Sequence, residues 1–223
     1  MSLDKAWKHF VTISTHKKHV AYCCFKMGLV WQGLIHDMSK YSPVEFRAGA
    51  RYYQGDRSPN NKEREVTGVS PAWLHHKGRN KHHFEYWIDY SVGAKTMIAG
   101  APMPRRYVAE MVADRIAASK VYLRGDYSDL SPYVYFSNSA ERLWFVHDEV
   151  KEQLFYLLGM LAIRGEDRTF RYIRKKYLAD ISAPWTRPAD FDKIKRAADK
   201  VVASDEKTRA FIKKEENSNH VMA

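Results

Sequence analysis

Apolar side chains recur along residues 4–30 at Ala6, Phe10, Ile13, Val20 and Met27, close to the 3.6-residue period of a helix that buries one stripe. Ser42-Pro43-Val44-Glu45 has the signature of a helix start, with Ser42 as N-cap, Pro43 in the first turn and Glu45 closing a capping box. Ser70-Pro71 repeats the cap-then-proline signal ahead of Ala72-Trp73-Leu74-His75-His76. Pro102 and Pro104 open a helix over about 105–123. Asn138 or Ser139 caps another over about 139–163, apolar at Leu143, Trp144, Leu154, Leu157, Leu158 and Leu161. Two further helices are predicted near 166–179 and 189–214, the last running into a charged, frayed tail. Residues 54–69 are polar and glycine-containing and read as a loop. Alternating apolar–polar stretches are short and β-branched clusters are missing, so no sheet is expected. The pattern predicts an all-α protein with a helical domain over 1–163 and a C-terminal helical extension over 164–223 with a basic tail.

Composition narrows the setting. With 223 residues and 45% hydrophobic content the chain can bury a real core. No run approaches the roughly 18 uncharged apolar residues of a membrane span, so no membrane partner is expected. The segment Met1-Ser2-Leu3-Asp4-Lys5 is too polar for a signal peptide, and the only cysteines, Cys23 and Cys24, are adjacent and ill placed to pair. A reduced, cytoplasmic setting is the expectation. The net charge of +11 suits polyanionic partners, whether nucleic acid, nucleotides or phosphorylated metabolites, or serves solubility alone. Arg168, Arg171, Arg174, Lys175 and Lys176 recur at about helical spacing, followed by Lys193, Lys195, Arg196 and Lys200. They could form a phosphate-contacting stripe, but no zinc-finger spacing or helix-turn-helix accompanies them, and a solvated face is the simpler account. Trp185, Tyr133 and Tyr135 could support a homodimer or belong to the core.

The candidate chemistry centres on Gly33-Leu34-Ile35-His36-Asp37-Met38-Ser39-Lys40. An adjacent histidine and carboxylate can ligate one divalent cation, and Lys40 can hold a phosphate oxygen beside it. His16 shares a helical face with Ile13, Val20 and Met27, so its ring points inward, either as a satisfied core histidine or as a ligand. Asp114 lies on a stripe with Tyr107, Met111, Ala118 and Val121, where a carboxylate is costly unless a cation, an arginine or hydrogen bonds compensate it. If the helices bundle, His16, His36, Asp37 and Asp114 converge into a mixed nitrogen and oxygen set suited to Mn²⁺, Fe²⁺, Co²⁺, Zn²⁺ or Mg²⁺. His147–Asp148 repeats the dipeptide, but Asp148 falls on a polar face with Glu141, Lys151 and Glu152 and reads as surface.

The spaced matches His16…Val20, His36–Asp37 and Ala113-Asp114-Arg115-Ile116-Ala117 resemble the HD-domain superfamily of metal-dependent phosphohydrolases, over about residues 10–120. Ser39 stands where many members have glycine. The resemblance implies an HD-like helical bundle and a metal held by His16, His36, Asp37 and Asp114. Trp73–Trp87 holds four histidines in nine residues, and in two-metal members extra histidines of this kind hold a second cation. His76 and His83 are the carry-overs, with His75 and His82 as rivals; a polar loop whose rings stack on Trp73, Tyr86 and Trp87 is the plain alternative. The implied activity is hydrolysis of a phosphate ester, a nucleotide or a related phosphorylated small molecule. Asp37 would orient the attacking water, and Lys40 and Arg79 would offset phosphoryl charge. Glu45, His76 or His83 could move a proton. The alternative is an HD-fold module without catalysis that binds nucleic acid or a phosphorylated partner, and a third reading makes the metal a structural staple.

Overall fold

The computed structural model describes residues 2–92 and 96–205. Among these it is all-α, with ten α-helices and one small two-stranded sheet. Helix α1 (Leu3–Met27) buries Ile13, His16, Val20, Cys23, Cys24 and Met27 along one stripe, as its periodicity predicts. It ends at Gly28, whose φ of 83° is the left-handed cap that glycine adopts without strain. Helix α2 (Val30–Ile35) follows at once, then α3 (Pro43–Arg51), α4 (Pro59–Thr67) and α5 (Pro71–Lys77). Strands β1 (Ile88–Tyr90) and β2 (Ile98–Gly100) pair antiparallel, with Ile88 opposite Gly100. The long helix α6 (Arg105–Leu123) is succeeded by α7 (Ser131–Ala140), α8 (Asp148–Arg164), α9 (Glu166–Tyr172) and α10 (Phe191–Ser204).

Helices α1 and α6 lie against each other and form the frame. Helices α2 and α3 pack on α1, and α5 packs on α3. On the far side α8 meets α6, α7, α9 and α10. One hydrophobic cluster runs through the interior, from Val20 and Met27 through Val112 and Ile116 to Tyr133, Phe136, Leu154 and Leu157. It continues into Phe170, Ile173, Phe191, Ile194 and Ala198, so the helices beyond residue 163 share this core. Among the described residues no helix is long and apolar enough to cross a membrane. Cys23 and Cys24 are free, buried thiols.

The structure departs from the sequence pattern in three places. Residues 59–67, expected as loop, form α4; only Glu63 of this helix is buried, so it has no apolar stripe to betray it. The single helix expected over 139–163 is two: α7 starts early, with Pro132 in its first turn, and α8 begins only at Asp148. The Ser139 hydroxyl donates to the carbonyls of Tyr135 and Phe136, so it closes α7 and caps nothing downstream. Leu143 and Trp144 lie in the connection between them. The short β1–β2 pair was not expected, because three-residue strands carry no alternation to read. The last helix begins at Phe191 and is described to Ser204; the expected stretch to 214 and the basic tail lie beyond the described residues. Tyr133 is fully buried and donates to Asp199, so it offers nothing to a dimer surface, while Tyr135 is exposed and Trp185 is partly covered by the core.

Leu157 is wholly buried on α8. Leu157→Ala should lower the unfolding free energy by about 3 kcal/mol, and a loss below about 1 kcal/mol would show that α8 is not central to the fold. Urea unfolding of both proteins measures it.

Candidate metal centre

Four segments converge on the buried carboxylate of Asp37. Helix α1 supplies His16, and the end of α2 supplies His36 and Asp37 itself. Helix α5 and the turn after it supply His76, His82 and His83; α6 supplies Asp114. Asp37 sits at φ 52°, a left-handed conformation that aspartate tolerates better than most side chains. The Lys17 ammonium secures the strand of chain leading into it, donating to the carbonyls of Leu34 at 2.7 Å and His36 at 2.9 Å. The capped start of α5 is as predicted, with Ser70 Oγ accepting from the Trp73 amide at 3.0 Å. Asn80 then folds the following turn back, its amide donating to the His76 carbonyl and to Ser39 Oγ, each at 2.8 Å.

The donor atoms form two groups that share Asp37. On one side His16 Nε2 is 2.9 Å and His36 Nε2 is 3.6 Å from Asp114 Oδ1. The same two nitrogens lie 4.0 and 3.2 Å from Asp37 Oδ2. On the other side Asp37 Oδ1 is 3.3 Å from His76 Nε2 and 3.4 Å from His82 Nε2, and His76 Nε2 is 2.9 Å from His83 Nε2. Donors around one cation at about 2.1 Å sit roughly 3.0 Å apart at the edges of an octahedron, 3.4 Å in a tetrahedron and about 4.2 Å across an octahedron, and the separations here, 2.9 to 4.0 Å, fall close to that span. His16 Nε2, His36 Nε2, His82 Nε2 and both oxygens of Asp37 are buried without a hydrogen bond of acceptable angle. Buried polar atoms are otherwise satisfied almost without exception, so five orphans aimed at two common points fit a cation at each. His16, His36, Asp37 and Asp114 can hold one metal ion, and Asp37, His76, His82 and His83 can hold another.

Two carboxylates orient this set from behind. Glu110, one turn before Asp114 on α6, accepts from His36 Nδ1 at 2.9 Å and from His82 Nδ1 at 3.3 Å. Its second oxygen accepts from Gln32 Nε2 at 2.6 Å. Glu45 on α3 accepts from His75 Nδ1 at 2.6 Å and His76 Nδ1 at 2.7 Å. Such bonds fix Nδ1 as the protonated nitrogen and turn the Nε2 lone pair inward, the arrangement of metal-ligating histidines. Although His36, His82 and Glu110 also lie close together, the two Nδ1–H donors account for that contact. Gly49, one turn on from Glu45, lets α3 press against α1, where a Cβ would collide with the His9 ring.

The electrostatics follow from this packing. Burial opposes ionisation of Asp37, but His36, Lys40, His76 and His82 outweigh it and hold the carboxyl well below its usual range. Asp114 is likewise held low, against burial, by His16 and His36, and Glu110 is brought to about 2 by His36 and His82. His36 keeps its proton well above the usual range: burial opposes it, and Asp37, Asp114 and Glu110 prevail. Burial and the Lys40 charge lower His16 to about 4. His83 is pushed well down by burial, then by His82 and His76, so its ring is neutral.

All six residues expected as ligands meet here, and His82 joins them. His75 turns to Glu45 instead. Lys40 stands at the rim, its Nζ 2.6 Å from Asp37 Oδ2. Two expectations need correction. Glu45 does not close a capping box: the Ser42 amide is already bonded to the Ser39 carbonyl, and the carboxylate goes to two imidazoles. Its carboxylate is taken up by His75 and His76 and orients their rings. Arg79 does not face the centre; it is exposed where α5 ends at Gly78 and donates to the His75 carbonyl at 3.2 Å. His147–Asp148 is surface, as read: His147 Nδ1 caps α8 and Asp148 pairs with Lys151. Arg168, Arg171, Arg174, Lys175 and Lys176 are all exposed, as are Lys193, Arg196 and Lys200, while Lys195 pairs with Asp199. Sequence reasoning missed Glu110 and Gln32. The spacing of four between Glu110 and Asp114 is the signal that could have found the first.

The chain belongs to DUF5662, a family of unknown function, whose family model matches residues 5–160. That stretch contains every residue of both donor groups. No curated protein and no solved structure matches the chain.

Glu110→Gln keeps the shape and removes the charge that holds two imidazoles. It should weaken divalent-cation binding by about 10–100-fold with helicity retained. Competition against a chromophoric chelator reads this, and an unchanged affinity would rule out the orienting role. Because a cation must displace the proton that His36 retains, wild-type affinity should also fall as pH drops below that raised pKa.

Proposed function

We propose that this protein is a metal-dependent phosphohydrolase acting on a phosphate ester, with a nucleotide-like compound as the substrate class. The observation that carries the reading is the position of Asp37, one carboxylate whose two oxygens each face a separate donor group. The match of His16, His36–Asp37 and Asp114 to the HD-domain pattern supports it independently. His16, His36, Asp37 and Asp114 would hold one cation, and Asp37, His76, His82 and His83 the second. The imidazole-rich donors favour Mn²⁺, Fe²⁺, Co²⁺ or Zn²⁺ over Mg²⁺. When bound, a divalent cation lowers the pKa of water to supply a nucleophile near neutral pH and polarises a phosphoryl oxygen.

The chain's own groups supply the rest. Asp37 fixes the relation between the two halves of the centre, and the carboxylates of Glu110 and Glu45 keep four imidazoles from rotating. Lys40, with 28% of its side chain exposed, can swing from Asp37 to a phosphoryl oxygen and stabilise charge there. Burial strengthens each of these interactions by excluding water. A binding module with no turnover would use the exposed basic residues of α9 and α10, yet it would have no need of buried carboxylates and imidazoles. A structural staple would need the cation but not Lys40.

Elemental analysis and a panel of nucleotide esters test the reading together. Wild-type protein should carry near-stoichiometric metal and release phosphate; Asp37→Ala should lose both. Lys40→Met should retain the metal while kcat falls about 100-fold or more. Full activity of Asp37→Ala would end the proposal, and metal without turnover on any ester would leave only the staple.

A further inference from the structure

Arg115 follows the ligand Asp114 on α6, about 100° around the helix. Its guanidinium is held against two rings of α7, with Cζ 5.2 Å from the centroid of Phe136 and 6.0 Å from that of Tyr135. Its Nε is buried and has no hydrogen-bond partner. Among the described residues the side chain makes no hydrogen bond or ion pair; beyond these ring contacts it only feels the nearby charges of Asp114 and Glu85. A guanidinium carries five N–H donors, and leaving a buried one such as this Nε–H unused is rare and costly. Aromatic faces restrain the group without occupying its donors. It is a fork set in place for an acceptor that the described residues do not provide.

The centre is least covered at Asp114, the neighbour of Arg115, and at Lys40. Within the centre, the side chains of His36, Asp37, His76 and His82 are all but sealed, whereas Asp114 is 18% and Lys40 28% exposed. Tyr122, seven residues beyond Arg115 on the same face of α6, senses the charge of Lys40 and Asp114 and lies near Tyr135. Arg115 feels the charge of Asp114 and touches Tyr135, so Lys40, Tyr122, Tyr135 and Arg115 are linked through the more open Asp114 end of the centre.

We infer that Arg115 is a substrate-binding residue that takes two oxygens of a terminal phosphoryl group, so that the substrate is a phosphate monoester. This rests on reading the centre as a phosphohydrolase. A fork takes a pair of oxygens side by side. A terminal phosphoryl group has three free oxygens and leaves one for Lys40, while the interior phosphate of a diester has only two. The tyrosines beside the fork wall the region where the esterified group emerges.

Inorganic phosphate is the probe, titrated calorimetrically into metal-loaded wild type, Arg115→Met and Arg115→Lys, with metal content measured on each. Arg115→Met should bind phosphate at least ten-fold more weakly at unchanged metal content. Arg115→Lys, which keeps the charge and loses the fork, should fall between the two. If Arg115→Met fails to fold or loses metal, Arg115→Lys decides alone, by an affinity below that of wild type. Phosphate affinity equal to wild type in the deciding variant, or no phosphate binding by metal-loaded wild type, overturns the assignment. Ester hydrolysis assayed alongside separates the two claims. Arg115-dependent phosphate binding without turnover removes the hydrolase and leaves the anion site, and turnover with Arg115-independent binding does the reverse.

Discussion

The burial of the Asp37 carboxylate is the constraint on which the rest of the centre depends. A charged group removed from water is tolerated only when compensated, and here the compensation comes from three segments, Asp37's own and two far from it in the chain. His16 comes from α1, Lys40 from the turn after α2, His76 and His82 from α5 and its following turn. Each must be placed within a few ångströms by elements whose own packing is apolar. The α1–α6 pairing does most of this placing. It buries Val20, Cys24, Val112, Ala113 and Ile116 beside the polar cluster, so the same contact that builds the core also sets His16 against Asp114.

The outer carboxylates extend that economy. Glu110 and Asp114 are a single turn apart on α6, so one rigid helix carries both a candidate ligand and the group that orients two other candidate ligands, His36 and His82. Glu45 does the equivalent work from α3, where Gly49 permits the helix to sit low against α1. Rings fixed through Nδ1 cannot rotate their Nε2 lone pairs away, so the donor sets are organised before any cation arrives. The two halves are also linked through Glu110, which touches His36 of one set and His82 of the other. A shift of α6 would disturb both sets at once.

How much of this was legible in the sequence depended on whether the signal was periodic. His16 and Asp114 stood out because each interrupts an apolar stripe, and α1 and α6 formed with nearly the expected bounds. His36–Asp37 was visible as a dipeptide with Lys40 behind it. The choice among His75, His76, His82 and His83 was not, since the chain leaves α5 at Gly78 for an irregular turn without a repeat. Glu45 fitted the template of a capping box equally well, and only the folded structure shows that two imidazoles compete for its carboxylate and win. Helix α4 escaped notice for the opposite reason to the centre: it buries too little to leave a pattern. The apolar run from Leu143 to Leu161 concealed a break because hydrophobic content alone does not distinguish a buried loop from a helix.

Charge balance gives the argument for a cation a basis separate from distance. Asp37, Asp114, Glu110 and Glu45 are all held ionised within one buried region. The fixed positive charges nearby are Lys40 and the retained proton of His36, while His16 and His83 are neutral. The region is thus negative unless further imidazoles take up protons, and those protons would have to occupy the very nitrogens that face Asp37. A divalent cation resolves the imbalance without that conflict, because it accepts the lone pairs that a proton would otherwise consume. The neutral state of His16 and His83, unfavourable to a simple salt-bridge cluster, is what a ligand set requires. Arg115, next to Asp114 on α6, offsets part of that charge without bonding to it, so its donors can still meet an incoming anion.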